Sequence, residues 1–335
     1  MNSRWKANTI NTTSIILIYV ILVLLIRMGF INSYYEGILI EMGINIILAV
    51  SLNLATGYLG QLTLGHAGFM AIGAYAAAIF SSRVNMPDLP LLLISIIIGG
   101  LLAALLGFLM AIPVFRLRGD YLAIITLGFG EIIRVIILNL KITGGGKGLS
   151  GILPLTSFSS VYFVTIITIA IFYTLINSRH GRAIISIRED EIASEAVGIS
   201  TKYYKTFAFT IAAFFAGIAG GLFAHHTLVL DPKDFGFIRS IEILIIVVLG
   251  GMGNLTGSIL AAIIITILPR MLMGFADWNM IIYSILLIAM MLFKPGGLLG
   301  KREFSLYKLL AGRKKSHGNA PVKNEGSEWY GLIRD

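Results

Sequence analysis

Cysteine is absent from all 335 residues, which excludes disulfides and thiolate metal sites. The absence says little about compartment, because a chain with a large apolar core needs no such staples. Charge is scarce too. Only 13% of the residues are Asp, Glu, Lys or Arg, against about a quarter in an ordinary soluble domain. No G-x-x-x-x-G-K-[ST] phosphate loop occurs; TGGGKGLSG at 143–151 has the wrong spacing. There is no H-E-x-x-H and no nucleophile elbow. His66 stands alone, and His225 and His226 are neighbours that point apart on a helix, so neither makes a metal site. Alternating segments of about ten residues, the mark of a membrane β-barrel, are also missing.

What replaces the charge is Ile, Leu, Ala and Gly. Hydrophobic residues make up 57% of the chain and the mean hydropathy is +0.88. Apolar runs recur, each long enough to cross a hydrocarbon core about 30 Å thick. The pattern predicts an all-α polytopic membrane protein with about ten transmembrane helices, some of them interrupted. The expected spans are 10–28, 38–55, 63–82, 90–112, 121–140, 160–177, 205–226, 239–250, 256–273 and 278–293. The eighth is short for a full crossing. Arg4 and Lys6 precede the first run, but no small-residue cleavage site follows it, so it reads as a retained helix rather than a signal peptide.

Orientation follows from the basic residues of the short loops. With the N-terminus inside, 18 of the 26 Lys and Arg residues fall on inner segments. These include Arg116 and Arg118, Arg179 to Lys205, and nine from Lys294 onward. Both termini are therefore expected inside. The net charge of +9 belongs to these flanks and to the tail, not to a nucleic-acid surface. From about Lys301 the tail is polar and basic, which predicts disorder, with contact to anionic lipid as one use.

Two stretches match each other. GYLGQLT at 57–63 and GGMGNLT at 250–256 both fit G-x-x-G-[QN]-L-T, and both follow an apolar run. Either they are tight turns between neighbouring helices, or they form an internal repeat in which two helices break at matching places beside a wet cavity. The glycines that would make the breaks are Gly57, Gly60, Gly250, Gly251 and Gly253.

The longest inner connection runs from about Ser178 to Lys205, well above the usual 2–8 residues between bundled helices. It contains REDEIASEAVGISTKYYK (188–205). Glu189 to Val197 reads as a short amphipathic helix, with Ile192, Ala193, Ala196 and Val197 on one face, acids in its first turn and Gly198 as its stop. Such a helix either seals the bundle or docks a soluble partner.

This loop, with its Glu195-Ala196-x-Gly198 core, resembles the coupling loop of ABC importer permeases. The wider resemblance is to the branched-chain amino acid permeases of LivM type. It is carried by SLNLATGYLGQLTLGHAGFMAIGAYAAA (51–78), LRGDYLAIITLGFGEIIRVIILN (117–139), TGGGKGLSGI (143–152), SRHGRAIISIREDEIASEAVGI (178–199), FAGIAGGLFA (215–224), VLGGMGNLTGSILAA (248–262) and KPGGLLG (294–300). The resemblance implies a non-catalytic permease subunit in a bacterial or archaeal plasma (inner) membrane. Its partners would be a second permease, two ATPase subunits that bind ATP and Mg, and an extracytoplasmic substrate-binding protein. No cofactor is expected in this chain. Arg188, Glu189, Asp190, Glu191, Glu195, Ala196 and Gly198 would form the ATPase-coupling element.

Ionisable and amide side chains at membrane depth face a partner or a cavity. Glu131 and Arg134 share a helix face, either as a local ion pair or as pathway contacts for an amino acid's charged ends. Glu41, Asn45 and Asn53 stripe the second span, where interhelical hydrogen bonds are one use. Gln61, Thr63 and His66, with Asn254 and Thr256 at the matching motif, complete the candidate pathway set with Asn53. Asp231, Lys233, Asp234, Lys141 and Lys147 are expected outside, either solvated or facing a binding protein.

The function expected is import of Leu, Ile and Val, driven by ATP and working by alternating access. Urea or short amides are alternative substrates on the same architecture. An ion-coupled secondary transporter is the competing class, since broken helices suit it as well, but no dense chain of buried acids offers a proton relay.

Overall fold

A computed structural model describes residues 16–115 and 120–271, with Ser284, Ile288, Gly297 and Leu298. Nearly all of these belong to one compact unit, 19–304; the second unit, 1–18 with 305–335, contributes only residues 16–18. The expected tenth span, the basic tail, Arg4, Lys6, Arg116 and Arg118 lie outside the described residues.

Helices form where the apolar runs lie. They are α1 (Ile16–Arg27), α2 (Ser33–Asn53), α3 (His66–Ser81), α4 (Asp88–Val114), α5 (Asp120–Asn139), α6 (Phe158–Asn177), α7 (Arg179–Glu189), α8 (Glu191–Ala196), α9 (Thr201–Thr227), α10 (Phe237–Gly250) and α11 (Leu255–Met271). By length and composition, five are able to cross a membrane: α2 with its terminal turn, α4, α5, α6 and α9. The shorter α1, α3 and α11 are apolar but lack that length. A two-stranded antiparallel bridge, β1 (Leu149–Ser150) with β2 (Val229–Leu230), ties the α5–α6 connection to the chain leaving α9.

The helix starts follow local chemistry. Asn32 caps α2 by accepting the Tyr35 N–H. Ser157 and Ser160 form a reciprocal capping box at α6, which satisfies amide donors that the first helical turn leaves open. Apolar helices gain little from burial in a membrane, so close backbone approach supplies the packing. α3, α4 and α9 show it at Gly73, Gly99 and Gly217. A Cβ on Gly99 would lie 2.6 Å from the Gly73 carbonyl oxygen, and one on Gly217 would lie 2.8 Å from the Gly99 oxygen.

α9, 27 residues long and so about 40 Å at 1.5 Å per residue, joins two ends with different character. One end carries α7 and α8; the other carries β1 and β2. α2 and the turn that follows it run between the same ends, from the neighbourhood of His226 at Gly37 to that of Arg188 at Gly57 and Gly60.

The connection 178–200 differs from its sequence reading. Instead of a single helix from Glu189 to Val197, two helices meet at Asp190. Ser178 caps α7 by accepting from the His180 and Gly181 amides, and Ile184 and Ile187 bury its inner face. Asp190 has an extended backbone (φ −156°, ψ 112°), and its carboxylate accepts from the Ile192 and Ala193 amides at 2.9 and 3.0 Å. It is therefore the N-cap of α8 and not a residue within a helix. Gly198, at φ +87°, ends α8 as expected: its amide and that of Ile199 bond back to Glu195 and Ser194.

Candidate functional site

Two matching breaks face each other at the α8 end. After Asn53 the helix widens into a π turn, Leu54–Tyr58, and the chain then runs without helix to His66. α10 stops at Gly250, and α11 begins at Leu255. The second fixed glycine of each motif has nearly the same left-handed backbone, φ +76° at Gly60 and +79° at Gly253, while Gly251 stands at +103°. Side chains resist this region, so glycine is needed there.

Asn53 joins the two breaks. Its Oδ1 accepts from the Gly253 amide at 2.8 Å. Its Nδ2 donates to the Asn254 carbonyl and to Ser258 Oγ at 3.0 and 2.9 Å. Asn254 in turn caps α11, its Oδ1 accepting from the Gly257 amide and the Thr256 hydroxyl, both at 2.9 Å. A Cβ on Gly57 would overlap both Asn53 Oδ1 and the Gly253 amide nitrogen.

Arg188 reaches this junction from α7. Its Nη1 donates to the Gly57 carbonyl at 2.9 Å, and its other nitrogens hold Glu189. A Cβ on Gly60 would meet Arg188 Cγ at 2.6 Å, and one on Gly253 would meet Nη1 at 2.7 Å. One side chain thus touches both breaks.

Beyond it, α8 presents its apolar edge outward. Ile192 is 75% exposed and Val197 78%, whereas Ser194 is 4% exposed. The polar side faces the protein: Glu191 pairs with the buried Lys205 at 2.7 Å, Ser194 Oγ donates to the Asp190 carbonyl, and the Thr201 hydroxyl donates to Glu195. Of the expected coupling residues, Arg188, Glu191 and Glu195 therefore hold the element in place. Gly198 ends α8, Asp190 starts it, and Ala196 lies on the exposed side with Ile192 and Val197.

The candidate pathway residues fall in different settings. Asn53 and Asn254 form the junction just described, with Thr256 on Asn254. Thr63 is buried, Gln61 is half-buried, and its amide bonds the Ala55 carbonyl. His66 is buried, its Nε2 sharing a 2.9 Å hydrogen bond with Ser51 Oγ. Glu131 and Arg134 form an ion pair at 2.7 Å, and the second Glu131 oxygen accepts from the Phe237 amide at the start of α10, where a negative charge suits the helix dipole.

A polar opening lies elsewhere, toward the β1–β2 end. A cleft of about 450 Å³ lies between α2, α10 and α11. Arg270 pairs with Glu41 at 2.7 Å. Arg239 pairs with Glu242 at 3.0 Å and donates to Asn45 Oδ1 at 2.9 Å. Asn45 Nδ2 donates to Thr266 Oγ1. Lys233 and Asp234, from the 3₁₀ turn Pro232–Phe235, face the same space. Burial, with the Asp231 carboxylate nearby, pushes the Asp234 carboxyl above its usual range. Glu41 and Asn45 stood out in the sequence, but Arg239, Glu242 and Arg270 did not. The signal was available: Arg239 and Glu242 repeat, reversed, the i, i+3 spacing of Glu131 and Arg134, inside the apolar run FIRSIEILIIVV.

Residues 34–294 match the family described as branched-chain amino acid transport system / permease component. The chain belongs to this family. Among the permease's relatives is the high-affinity branched-chain amino acid transport system permease protein LivM of Escherichia coli, 39% identical over 291 residues, covering 76% of this chain and 68% of the relative. The LivM of Salmonella typhimurium is 38% identical over 310 residues, covering 81% and 71%. A probable LivH permease of Methanocaldococcus jannaschii is 25% identical over 173 residues, about half of each chain. No solved structure matches. The chain is thus a LivM-type permease component and a multi-pass membrane protein.

Proposed function

We propose that this permease forms the translocation pathway of an ATP-driven importer for branched-chain amino acids, working by alternating access. Its partners in this reading are a second permease of LivH type, two ATPase subunits that bind ATP and Mg, and an extracytoplasmic binding protein. Both termini lie on the cytoplasmic side of a bacterial or archaeal plasma membrane, and so does α8. The observation that carries the reading is α8 itself. A capped helix whose polar side is tied inward and whose Ile192 and Val197 stand in solvent suits a partner's apolar groove. The given residues hold no phosphate loop, which supports placing the ATPase on partner subunits in this reading.

The test is uptake of labelled leucine into vesicles that hold the full complex, with ATP supplied and ion gradients collapsed. ATP-dependent uptake is the expected result. Uptake that survives without ATP and ends with the gradients would make this a secondary transporter. Uptake of urea or short amides in place of leucine would keep the architecture and change the substrate.

Arg188 carries the movement inward in this reading. A hydrogen bond from a charged donor contributes about 1.5–3 kcal/mol, and about 1.4 kcal/mol is tenfold in rate. Arg188→Ala is expected to lower ATP-driven uptake about tenfold in complexes that still assemble. Unchanged uptake in such complexes would remove Arg188 from the coupling route.

A further inference from the structure

We infer that the cleft between α2, α10 and α11 is the place where this permease receives the two charged ends of its amino acid. The inference rests on the import reading above. Arg239 takes the carboxylate, Glu242 takes the ammonium, and Ile44, Phe223 and Ile238 face the aliphatic side chain.

Four observations converge. The cleft is about 450 Å³, within the range of about 300–1,000 Å³ typical of small-molecule sites. Its charges balance: Glu41, Asp234 and Glu242 against Lys233, Arg239 and Arg270. A net-neutral, charge-separated lining matches a zwitterion, whereas urea or a short amide carries no charge to pair with either sign. The charges are also arranged for exchange. Arg239 and Glu242 are neighbours on one turn of α10, 3.0 Å apart, with Glu242 almost half exposed. A zwitterion entering between them replaces one ion pair by two without adding net charge, so neither side chain is left uncompensated. Finally, apolar walls stand beside these groups, as Ile44 of α2, Phe223 of α9 and Ile238 of α10 line the same space. Ile238 is 74% exposed and so is available to an incoming side chain.

The neighbours give the cleft its polarity. Asn45 accepts from Arg239 and donates to Thr266, which fixes the guanidinium toward the cleft. Arg270 with Glu41 forms a second pair on the α2 and α11 side. Among the described residues, Lys233 and Asp234 have no ion-pair partner, and they sit on the turn where α9 leads into α10. An amino acid arriving at the β1–β2 end meets these two groups first.

A charge swap separates a substrate site from a structural pair. Complexes carrying Arg239→Glu together with Glu242→Arg keep an ion pair but reverse its direction. Leucine uptake driven by ATP is expected to fall at least about tenfold in the swapped complex, as in Arg239→Gln alone, with the subunits still copurifying. Uptake restored to the wild-type level by the swap would make the pair a structural brace and overturn the inference. A second variant, Arg239→Gln with Glu242→Gln, guards against a misfolded swap: near-normal leucine uptake there would overturn it too. If wild-type complexes fail to take up leucine with ATP, the import reading fails first, and the two failures are thereby told apart.

Discussion

Aspartate at both Ile192 and Val197 is expected to reduce ATP-driven uptake to below about a tenth of the wild-type rate, while the chain still inserts in the membrane. The two side chains are 75% and 78% exposed, so their replacement costs the isolated permease little. A partner's apolar groove would then have to bury two unpaired carboxylates, each at a cost of several kcal/mol. Loss of ATPase copurification should accompany the loss of uptake. Glu191 makes the contrast. It pairs with Lys205 inside the chain, so Glu191→Lys sets two cations together and disturbs the seat of α8 rather than its outer edge. Adding Lys205→Glu should recover part of that loss, and it should do nothing for the aspartate pair. Full activity of the double aspartate variant would mean that α8 is a lid.

Gly57→Ala is the second large effect. The added methyl group overlaps Asn53 Oδ1 and the Gly253 amide nitrogen, so the two breaks must separate. Overpacking costs about 1–3 kcal/mol, and the lost bonds of the fully buried Asn53 add about 1–3 kcal/mol. A loss of about 4 kcal/mol in unfolding free energy is expected in detergent. Gly128→Ala is the control. Nothing lies within 4 Å of its Cβ position in the middle of α5, and alanine favours helix by about 1 kcal/mol. Equal stability of the two variants would show that the breaks do not pack as described.

How much of this was legible in the sequence depended on the range of the interaction. Spans are local, so the apolar runs placed α2, α4, α5, α6 and α9, although α2 starts at Ser33 rather than 38 and α9 at Thr201 rather than 205. The stop of α10 at Gly250 was legible from the glycine motif and from the basic flanks. The division at Asp190 was missed because an acid in a first helical turn and an acid at an N-cap look alike until the backbone is seen. The orientation of α8 could not be read from its periodicity. Amphipathic spacing says that one face differs from the other, not which one the protein covers. The cleft was the least legible part. Its ties join residues 194 and 229 positions apart, Asn45 with Arg239 and Glu41 with Arg270, and no local pattern brings such residues together.

The permease contains no cysteine, which makes the central claim directly measurable. Single Ile192→Cys and Val197→Cys variants can be labelled with a membrane-impermeant maleimide from the α8 side, in the permease alone and in the complete complex. Rapid labelling in the isolated chain and strong protection once the ATPase subunits are bound is the predicted result. Equal labelling in both states would contradict docking of the ATPase on α8, and with it the route by which ATP is proposed to drive this transporter.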